Sequence, residues 1–329
     1  MWFEQLTGFK EETPIQVRNN LRIDGDSFVS KVNNKKFTFG SLQIPTLAEL
    51  KKISPPREIY KDKISVEEIV ADVQELHCEI ENTDALFQAA SQFNLLEMVG
   101  PHISPEQGVD RYENDYTQGP ACAIACGAGT IYRNYFVKLG NQIGQTTNNQ
   151  IDCLEYIGQE LNNADLNLWH MQNGYAMVNK NGLLAINKKI AALNYSEREK
   201  LKEKLKVGIQ WNTEVTKSIT KHKVSQIYCS ALPVAYCHTD SIYWEYFARV
   251  VLEATYEATL HAALINYDKT ESAKVYLTLV GGGAFGNEEH WILESLQQAI
   301  RKFRNTPLEI KVVSFGQSNM NLVNCIKEL

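Results

Sequence analysis

Four glycines follow an apolar run near the carboxyl end of the chain, in an arrangement that could bind a phosphate. The run covers residues 275–280 and has the composition of a strand that is buried on both faces. An amphipathic helix is predicted directly after the glycines, over residues 288–303. Glycines leave backbone amides open to an anion, and the amino end of a helix favours phosphate. The pattern therefore predicts a diphosphate site, although ordinary strand-to-helix turns share it. The predicted ligand contacts are Gly281, Gly282, Gly283, Ala284, Phe285, Gly286 and Asn287.

A cysteine offers a rival chemistry. Cys122 follows Pro120 near the start of a predicted helix, where the helix dipole would favour a reactive thiolate. His238 and Asp240 could complete a Cys-His-Asp set for nucleophilic hydrolysis. Cys122 and Cys126 have a helical spacing that could hold a metal, but no third ligand stands at a conventional spacing. We therefore predict no metal site.

The elements that would carry these residues alternate between strand and helix from residue 223 onwards, which is typical of a mostly parallel sheet with helices on both faces. We predict an N-terminal extension over residues 1–65 and an α/β domain over residues 66–329, with an Asn- and Gln-rich insertion at about 140–215. Ligands of such sheets bind at the carboxyl ends of the strands. Two local predictions are a helix within residues 66–76 and a hairpin turn at residues 179–182, where Asn-Gly accepts positive φ.

Composition narrows the classes of protein that the chain can belong to. The 329 residues are 44% hydrophobic, enough to build a sizeable core, and no window approaches a membrane-spanning length of apolar residues. The formal net charge of −6 argues against broad binding to nucleic acid. Seven scattered cysteines fit reduced thiols better than a disulfide framework. We expect a cytoplasmic protein that binds neither nucleic acid nor membranes and needs no cofactor.

Two segments together resemble macrodomains, which bind ADP-ribose. The glycine segment is similar to the family's phosphate loop with its aromatic residue, and residues 84–96 resemble its strand followed by an Asn-Ala-Ala-Asn loop. The resemblance implies a three-layer macrodomain-like fold with a mixed, mostly parallel sheet, and it implies that Phe285 leans on the distal ribose. Residues 88–91 depart from the family's four, so the asparagine role has either moved to Asn94 or been lost. Phe93 and Asn94 are the expected sugar contacts at this loop.

A second resemblance is narrower. Residues 108–123, with 127–130 and 132–135, are similar to the atypical macrodomain group around the bacterial effector MavL, which has eukaryotic relatives. This resemblance implies hydrolysis of ADP-ribose from arginine side chains, notably on ubiquitin. It spans roughly residues 80–139 and 223–318, and it leaves the extension and the insertion uncovered.

Four carboxylates are the catalytic candidates for such a reaction. Cleavage of a ribosyl bond passes through a positively charged centre, so one carboxylate must activate water and another must balance the charge. Asp110, Glu113 and Asp115 crowd one loop, and Asp240 lies beyond a strand predicted at 226–230. Carboxylates in loops are also often solvated, and Asp240 has a second interpretation as the N-cap of a helix predicted from Tyr243.

Two other functions remain open at this point. One is a reader, a module that binds ADP-ribosylated proteins without hydrolysis; it would need the backbone amides and apolar walls but not the carboxylates. The other is a scaffold, in which the glycines only form a turn. The expected partners are ADP-ribose and an ADP-ribosylated protein, and the narrower resemblance implies ubiquitin as one such protein.

Overall fold

A seven-stranded sheet forms the centre of the structure, a computed structural model that describes residues 1–329. The strands of the chain are β1 (Leu21–Asp24), β2 (Ser27–Ser30), β3 (Lys36–Thr38), β4 (Ser41–Gln43), β5 (Ser65–Val70), β6 (Leu86–Ala90), β7 (Lys138–Leu139), β8 (Gln142–Ile143), β9 (Trp169–Gln172), β10 (Tyr175–Val178), β11 (Gly208–Glu214), β12 (Lys223–Cys229), β13 (Lys274–Leu277) and β14 (Glu309–Ser314). The central sheet has the order β4-β11-β12-β6-β13-β14-β5. β4, β11 and β12 pair antiparallel, whereas all pairings from β12 to β5 are parallel. The predicted mixed, mostly parallel sheet is therefore confirmed.

Helices cover both faces of this sheet. They are α1 (Trp2–Thr7), α2 (Pro14–Asn20), α3 (Leu47–Ile53), α4 (Val73–Cys78), α5 (Gln118–Ala125), α6 (Gly127–Tyr135), α7 (Glu155–Glu160), α8 (Lys180–Ala191), α9 (Tyr195–Lys202), α10 (Glu245–Thr270), α11 (Glu289–Lys302) and α12 (Met320–Lys327). Successive strand side chains point to opposite faces. In β6, Phe87 stacks on His77 of α4, while the next residue, Gln88, donates to Thr259 of α10. α4 and α10 therefore lie on opposite faces, and the α/β class with three layers is confirmed.

Two hydrophobic cores hold the layers together. The larger one contains 66 buried residues from the central sheet and the helices on it. The smaller one contains 16 buried residues, and it joins aromatic side chains of the first forty residues, such as Phe3 and Phe28, to Leu96, Tyr112 and Tyr135. The start of the chain is therefore packed against the segment between β6 and α6.

Segments outside the predicted core domain also enter the central sheet. β4 lies within residues 1–65 and β11 within residues 140–215, and the two strands pair with each other at the antiparallel edge. A small sheet β1-β2-β3 and the hairpins β7-β8 and β9-β10 stand apart from it. The division of the chain into an extension, a domain and an insertion stays a prediction.

The predicted hairpin at residues 179–182 is wrong. Asn179 caps α8, its side chain accepting a hydrogen bond from the Gly182 amide. The turn of the β9-β10 hairpin lies upstream at Asn173 and Gly174, which have φ of 47° and 82°. Both sites contain Asn-Gly, and only the upstream pair stands between two segments that can pair as strands.

The predicted helix within residues 66–76 is also wrong. Its first part is β5, the last strand of the central sheet, and only residues 73–78 form a helix. Asp72 starts that helix by accepting a hydrogen bond from the Gln74 amide. The spacing of apolar residues in this short segment is compatible with both a helix and a strand. The segment forms a strand because it pairs with β14. Elsewhere, no helix of the structure is both long and apolar enough to cross a membrane.

Candidate functional site

The glycine loop (residues 278–287) follows β13 and leads into α11. The Asn287 side chain closes the loop, because its amide donates to the carbonyls of Leu232 (2.8 Å) and Gly281 (3.3 Å). Gly281 has φ of 80°, and a Cβ there would lie 2.4 Å from the Ala231 side chain. A Cβ on Gly283, by contrast, would meet nothing within 4 Å. Gly281 is therefore required by the turn, whereas Gly283 faces open space.

Three successive amides of this loop donate no hydrogen bond within the protein. They belong to Gly283, Ala284 and Phe285, while the neighbouring amides of Gly282 and Gly286 are satisfied by carbonyls of the loop itself. Gly283 and Ala284 are exposed and Phe285 is half-buried, and all three residues line one cavity, so water or an anion can accept hydrogen bonds from these amides.

Two cavities meet at the glycine loop. The inner cavity has a volume of about 460 Å³ and the outer cavity about 1070 Å³. Both touch Gly283 and both touch the acidic loop (residues 108–117) at Asp115 and Tyr116. The inner cavity is lined by residues 90–92, 97–99, 114–120, Tyr175, Ala231, Tyr236, 278–281 and 283–285. The outer cavity is lined by Met1, Trp2, Gln5, 71–74, Glu113, 115–118, Ala121, Ile124, Lys217, Thr278, Leu279, Gly283, 313–315 and 317–320.

Three aromatic rings close the inner cavity on the side of the glycine loop. The Tyr175 ring centroid lies 5.1 Å from that of Tyr236 and 5.3 Å from that of Phe285. The Tyr175 hydroxyl donates to the Met98 carbonyl. This hydrogen bond fixes the tyrosine ring, which belongs to β10, against the segment that follows β6. Phe285 therefore lines the cavity and shares this wall with a tyrosine from the predicted insertion.

The structure brings two of the four predicted carboxylates to the cleft. Asp115 lines both cavities, and its Oδ1 accepts hydrogen bonds from the amide and the hydroxyl of Thr117, at 2.9 and 2.7 Å. Glu113 lines the outer cavity only, where its Oε2 accepts from the Trp2 amide. Asp115 is therefore the predicted acid that reaches the junction of the two cavities.

Asp110 and Asp240 line neither cavity. Asp110 begins a 3-10 helix (Asp110–Asn114) behind the cleft, and burial raises the pKa of its carboxyl above the ordinary value. Asp240 is exposed ahead of another 3-10 helix (Ser241–Tyr243), and its side chain makes no capping hydrogen bond. The long connection after β12 carries it away from the strand end, so the predicted meeting of all four acids does not occur.

Phe93 and Asn94 are buried away from both cavities. The Phe93 amide donates to the Gly174 carbonyl, and the Asn94 side chain donates to Gln150 and accepts from the Leu96 amide. Both residues thus hold the predicted insertion onto the end of β6 and do not line the space for a sugar. Of the predicted loop contacts, Gly282, Gly286 and Asn287 likewise shape the turn without lining the inner cavity.

A buried carboxyl that the sequence analysis missed lines the inner cavity. Glu97 is almost fully buried, and neither of its carboxyl oxygens has a hydrogen-bond partner. Burial raises its pKa to about 8, and the Arg133 guanidinium opposes this rise only in part. A sequence signal existed, since Glu97 is the one charged residue within the apolar run 95–99. Its depth could not be read from that run alone.

The thiol chemistry is not supported. Cys122 is completely buried, and burial raises its thiol pKa well above the ordinary value, so the thiolate is disfavoured. Its sulfur accepts a hydrogen bond from Gln118, whose side chain also bonds the backbone of β6. His238 is exposed on the connection after β12 and forms no hydrogen bond with Cys122. The predicted Cys-His-Asp set does not form, because its cysteine serves close packing between α5 and the sheet.

Comparisons with known proteins find a likeness only among solved structures. No family model matches the sequence, and no curated protein matches it. The structure is similar to poly(ADP-ribose) glycohydrolase from Deinococcus radiodurans in complex with ADP-ribose, at 8% identity and a TM-score of 0.44, over 88% of this chain and 93% of that chain. It is similar to poly(ADP-ribose) glycohydrolase from Thermomonospora curvata at 9% identity and a TM-score of 0.45, over 96% of each chain. Likenesses at this level assign no activity, so function must be argued from the cleft itself.

Proposed function

We propose that this protein is an ADP-ribosylhydrolase of the macrodomain type, which binds ADP-ribose across the two cavities and hydrolyses its bond to a modified side chain. One observation carries the proposal: the amides of Gly283, Ala284 and Phe285 have no hydrogen-bond partner within the protein, all three residues line the inner cavity, and Gly283 also lines the outer cavity. A diphosphate there would accept three backbone hydrogen bonds. Its two ends would then extend into the inner and the outer cavity.

The outer cavity suits the nucleoside half of such a ligand. Its volume of about 1070 Å³ exceeds what an adenosine needs, and its wall carries the ring of Phe315, which is 76% exposed. An exposed aromatic ring on a cavity wall offers a stacking surface for a base. The Asp72 carboxylate lies on the same wall and could accept from an exocyclic amine.

The inner cavity suits the distal ribose and the bond to be cleaved. Its volume of about 460 Å³ is that of a small-molecule site, and Phe285 and Tyr236 offer apolar faces for a sugar. Asp115 and Glu97 are the two carboxyls on its wall. They replace the predicted set of four in our proposal.

In the proposed reaction, Asp115 accepts a proton from water as the water oxygen bonds to the anomeric carbon. The bond between that carbon and the side-chain atom breaks at the same centre, and its electron pair leaves with the side chain. Negative charge on Asp115 also stabilises the positively charged transition state. The two hydrogen bonds from Thr117 to Asp115 orient the carboxylate.

We propose arginine as the modified residue and ubiquitin as one carrier. The arginine part is supported by the lining of the inner cavity, which contains the carboxylate of Asp115 and several aromatic rings but no Lys, Arg or His. Carboxylates and aromatic faces both attract a guanidinium. The ubiquitin part rests on the resemblance of residues 108–123 to the MavL-like group.

A turnover assay tests the proposal. Peptides that carry ADP-ribose on arginine, serine or glutamate are incubated with the protein, and released ADP-ribose is measured. We expect release from the arginine-linked peptide, slowed about 100-fold or more in Asp115→Asn and within about twofold of wild type in Asp240→Asn. Binding of ADP-ribose without release from any peptide would favour a reader, and the absence of both binding and release would exclude the proposal.

A further inference from the structure

The acidic loop is held by contacts with the N-terminal segment (residues 1–13). The Trp2 amide donates to the Glu113 carboxylate at 2.8 Å, and the Trp2 indole donates to the Val109 carbonyl at 3.3 Å. Phe3 and Phe9 of the same segment share a hydrophobic core with Val109 and Tyr112. The start of the chain therefore packs against the acidic loop, and Trp2 and Glu113 also line the outer cavity.

Glu11 makes the most specific contact of this segment. Its Oε2 accepts a hydrogen bond from the Asp110 amide at 2.7 Å, and its Oε1 accepts from the hydroxyl of Tyr135 in α6 at 2.6 Å. One carboxyl thus ties the beginning of the acidic loop to the helix that follows it. Burial raises the pKa of the Glu11 carboxyl above its ordinary value. A glutamine at this position would keep a side-chain oxygen as an acceptor and would be neutral.

The backbone is shaped to admit this carboxyl. Gly108 has φ of 88°, and a Cβ there would lie 2.3 Å from Glu11 Oε2. No side chain fits at this position while Glu11 keeps its place. The glycine and the glutamate are therefore complementary across more than ninety residues of chain.

The contact is close in sequence to the proposed catalytic carboxylate. The 3-10 helix that starts at Asp110 ends at Asn114, and the next residue is Asp115, whose amide donates to the Tyr112 carbonyl at 3.1 Å. A single short helical turn separates the anchor from Asp115. A shift of the Asp110 amide would consequently move Asp115 in the cleft.

We propose that Glu11 is a positioning residue, which orients Asp115 by holding the amide of Asp110 and the hydroxyl of Tyr135. This inference rests on the proposed function, and it makes the N-terminal segment a part of the hydrolase site. Glu11 lines neither cavity and forms no hydrogen bond with the glycine loop. Loss of the anchor should therefore lower kcat while ADP-ribose affinity is preserved.

Four variants of the full chain test this inference. Glu11→Ala removes the acceptor, Glu11→Gln restores one, Gly108→Ala crowds Glu11, and Glu12→Ala is the matched control because Glu12 is exposed and its side chain makes no hydrogen bond. For each variant we would measure kcat and KM with the best ADP-ribosylated peptide, the Kd of ADP-ribose, thermal unfolding, and hydrogen exchange of the amides of residues 108–117.

We expect Glu11→Ala and Gly108→Ala to lower kcat by about tenfold, a loss of about 1.4 kcal/mol in transition-state stabilisation, with KM and Kd within about twofold. Exchange of residues 108–117 should rise in both variants. Glu11→Gln should stay within about threefold of wild type, and Glu12→Ala should match it. These outcomes together support the inference.

An unchanged kcat in Glu11→Ala would overturn the inference, and so would a Glu11→Gln variant as slow as Glu11→Ala. Faster exchange without slower turnover would reduce Glu11 to a structural role and would also overturn it. A failure of the proposed function looks different, because the wild type itself would then neither bind ADP-ribose nor release it. The exchange data would in that case still report whether Glu11 holds the loop.

Discussion

The carboxylate of Glu97 lies 3.8 Å from the guanidinium of Arg133, and both side chains are shielded from solvent almost completely. The distance is too long for a hydrogen bond, so the two groups interact through charge alone. Arg133 is instead held by the Tyr228 ring, 3.5 Å below its guanidinium, and by a hydrogen bond to the Leu95 carbonyl. Leu95 has φ of 64°, a conformation that a leucine seldom adopts. Arg133 thus stabilises the strained segment that carries Glu97 to the inner cavity.

This arrangement predicts that burial of Glu97 lowers the free energy of unfolding by an amount that depends on pH. The folded-state pKa of about 8 lies above the ordinary value of 4.5, so the folded protein binds more protons than the unfolded chain between these values. The free energy of unfolding should therefore fall as pH rises through this window. Glu97→Gln, which cannot ionise, should gain stability relative to wild type between about pH 5 and pH 8.5.

Urea unfolding of both proteins at several pH values measures this difference. Glu12→Gln serves as the control, because it removes a carboxyl that is exposed to solvent. A difference between Glu97→Gln and wild type that stays constant with pH would contradict the raised pKa.

A charge placed at Gly283 should abolish ligand binding without unfolding the protein. A side chain fits there, since a Cβ meets nothing within 4 Å, but the carboxylate of Gly283→Glu would lie against the proposed diphosphate. We expect a loss of about 3 kcal/mol or more in binding free energy. The comparison is Asn181→Glu, which adds the same charge to an exposed position of α8. Titration with ADP-ribose and a thermal unfolding scan would separate lost binding from lost folding, and unchanged affinity would remove the glycine loop from the site.

Truncation of Phe315 should weaken binding of the nucleoside half. The ring is 76% exposed, so Phe315→Ala removes little buried surface and should leave the unfolding temperature nearly unchanged. Stacking of a base on an aromatic side chain contributes about 1–3 kcal/mol, which corresponds to a rise of about 5-fold to 160-fold in the Kd of ADP-ribose. Ribose 5-phosphate lacks the base, so its inhibition of turnover should be equal in the variant and the wild type. If Phe315→Ala weakened the binding of ADP-ribose and of ribose 5-phosphate equally, this would argue against a base in the outer cavity.

Tyr236 provides a test of the arginine preference. Its ring lies on the wall of the inner cavity beside Tyr175, where a guanidinium would contact aromatic faces. Removal of one cation–π contact in Tyr236→Leu should cost about 1 kcal/mol, seen as a lower kcat/KM for arginine-linked peptide relative to serine-linked peptide. Tyr195→Leu, which changes an exposed tyrosine of α9, is the control. A ratio that does not change in Tyr236→Leu would leave the arginine preference without support from this wall.

Sequence patterns predicted the parts of the fold that depend on local chemistry. The strand β13, the glycine turn and the helix α11 follow from an apolar run, residues without side chains and a helical apolar spacing, all within a few residues of one another. The failures at residues 66–76 and 179–182 arose where two local patterns were equally compatible with the sequence and contacts with distant segments decided between them.

The site was predicted only in part, because its walls come from distant parts of the chain. Asp115 and Phe285 line the cleft, whereas Phe93 and Asn94 contact residues 174 and 150 of the predicted insertion. Glu97 was missed because a charged residue in an apolar run is informative only once its burial is known. The contribution of Glu11 depends on a contact with Asp110 that no spacing in the sequence indicates.

Isothermal titration of ADP-ribose into the wild-type protein, with adenosine as the comparison ligand, tests most directly whether the free amides of Gly283, Ala284 and Phe285 bind a diphosphate. We predict saturable one-to-one binding of ADP-ribose, and binding of adenosine that is weaker by about 100-fold or more because it lacks the group those amides would hold. The absence of binding heat for ADP-ribose, or equal affinities for the two ligands, would contradict the account.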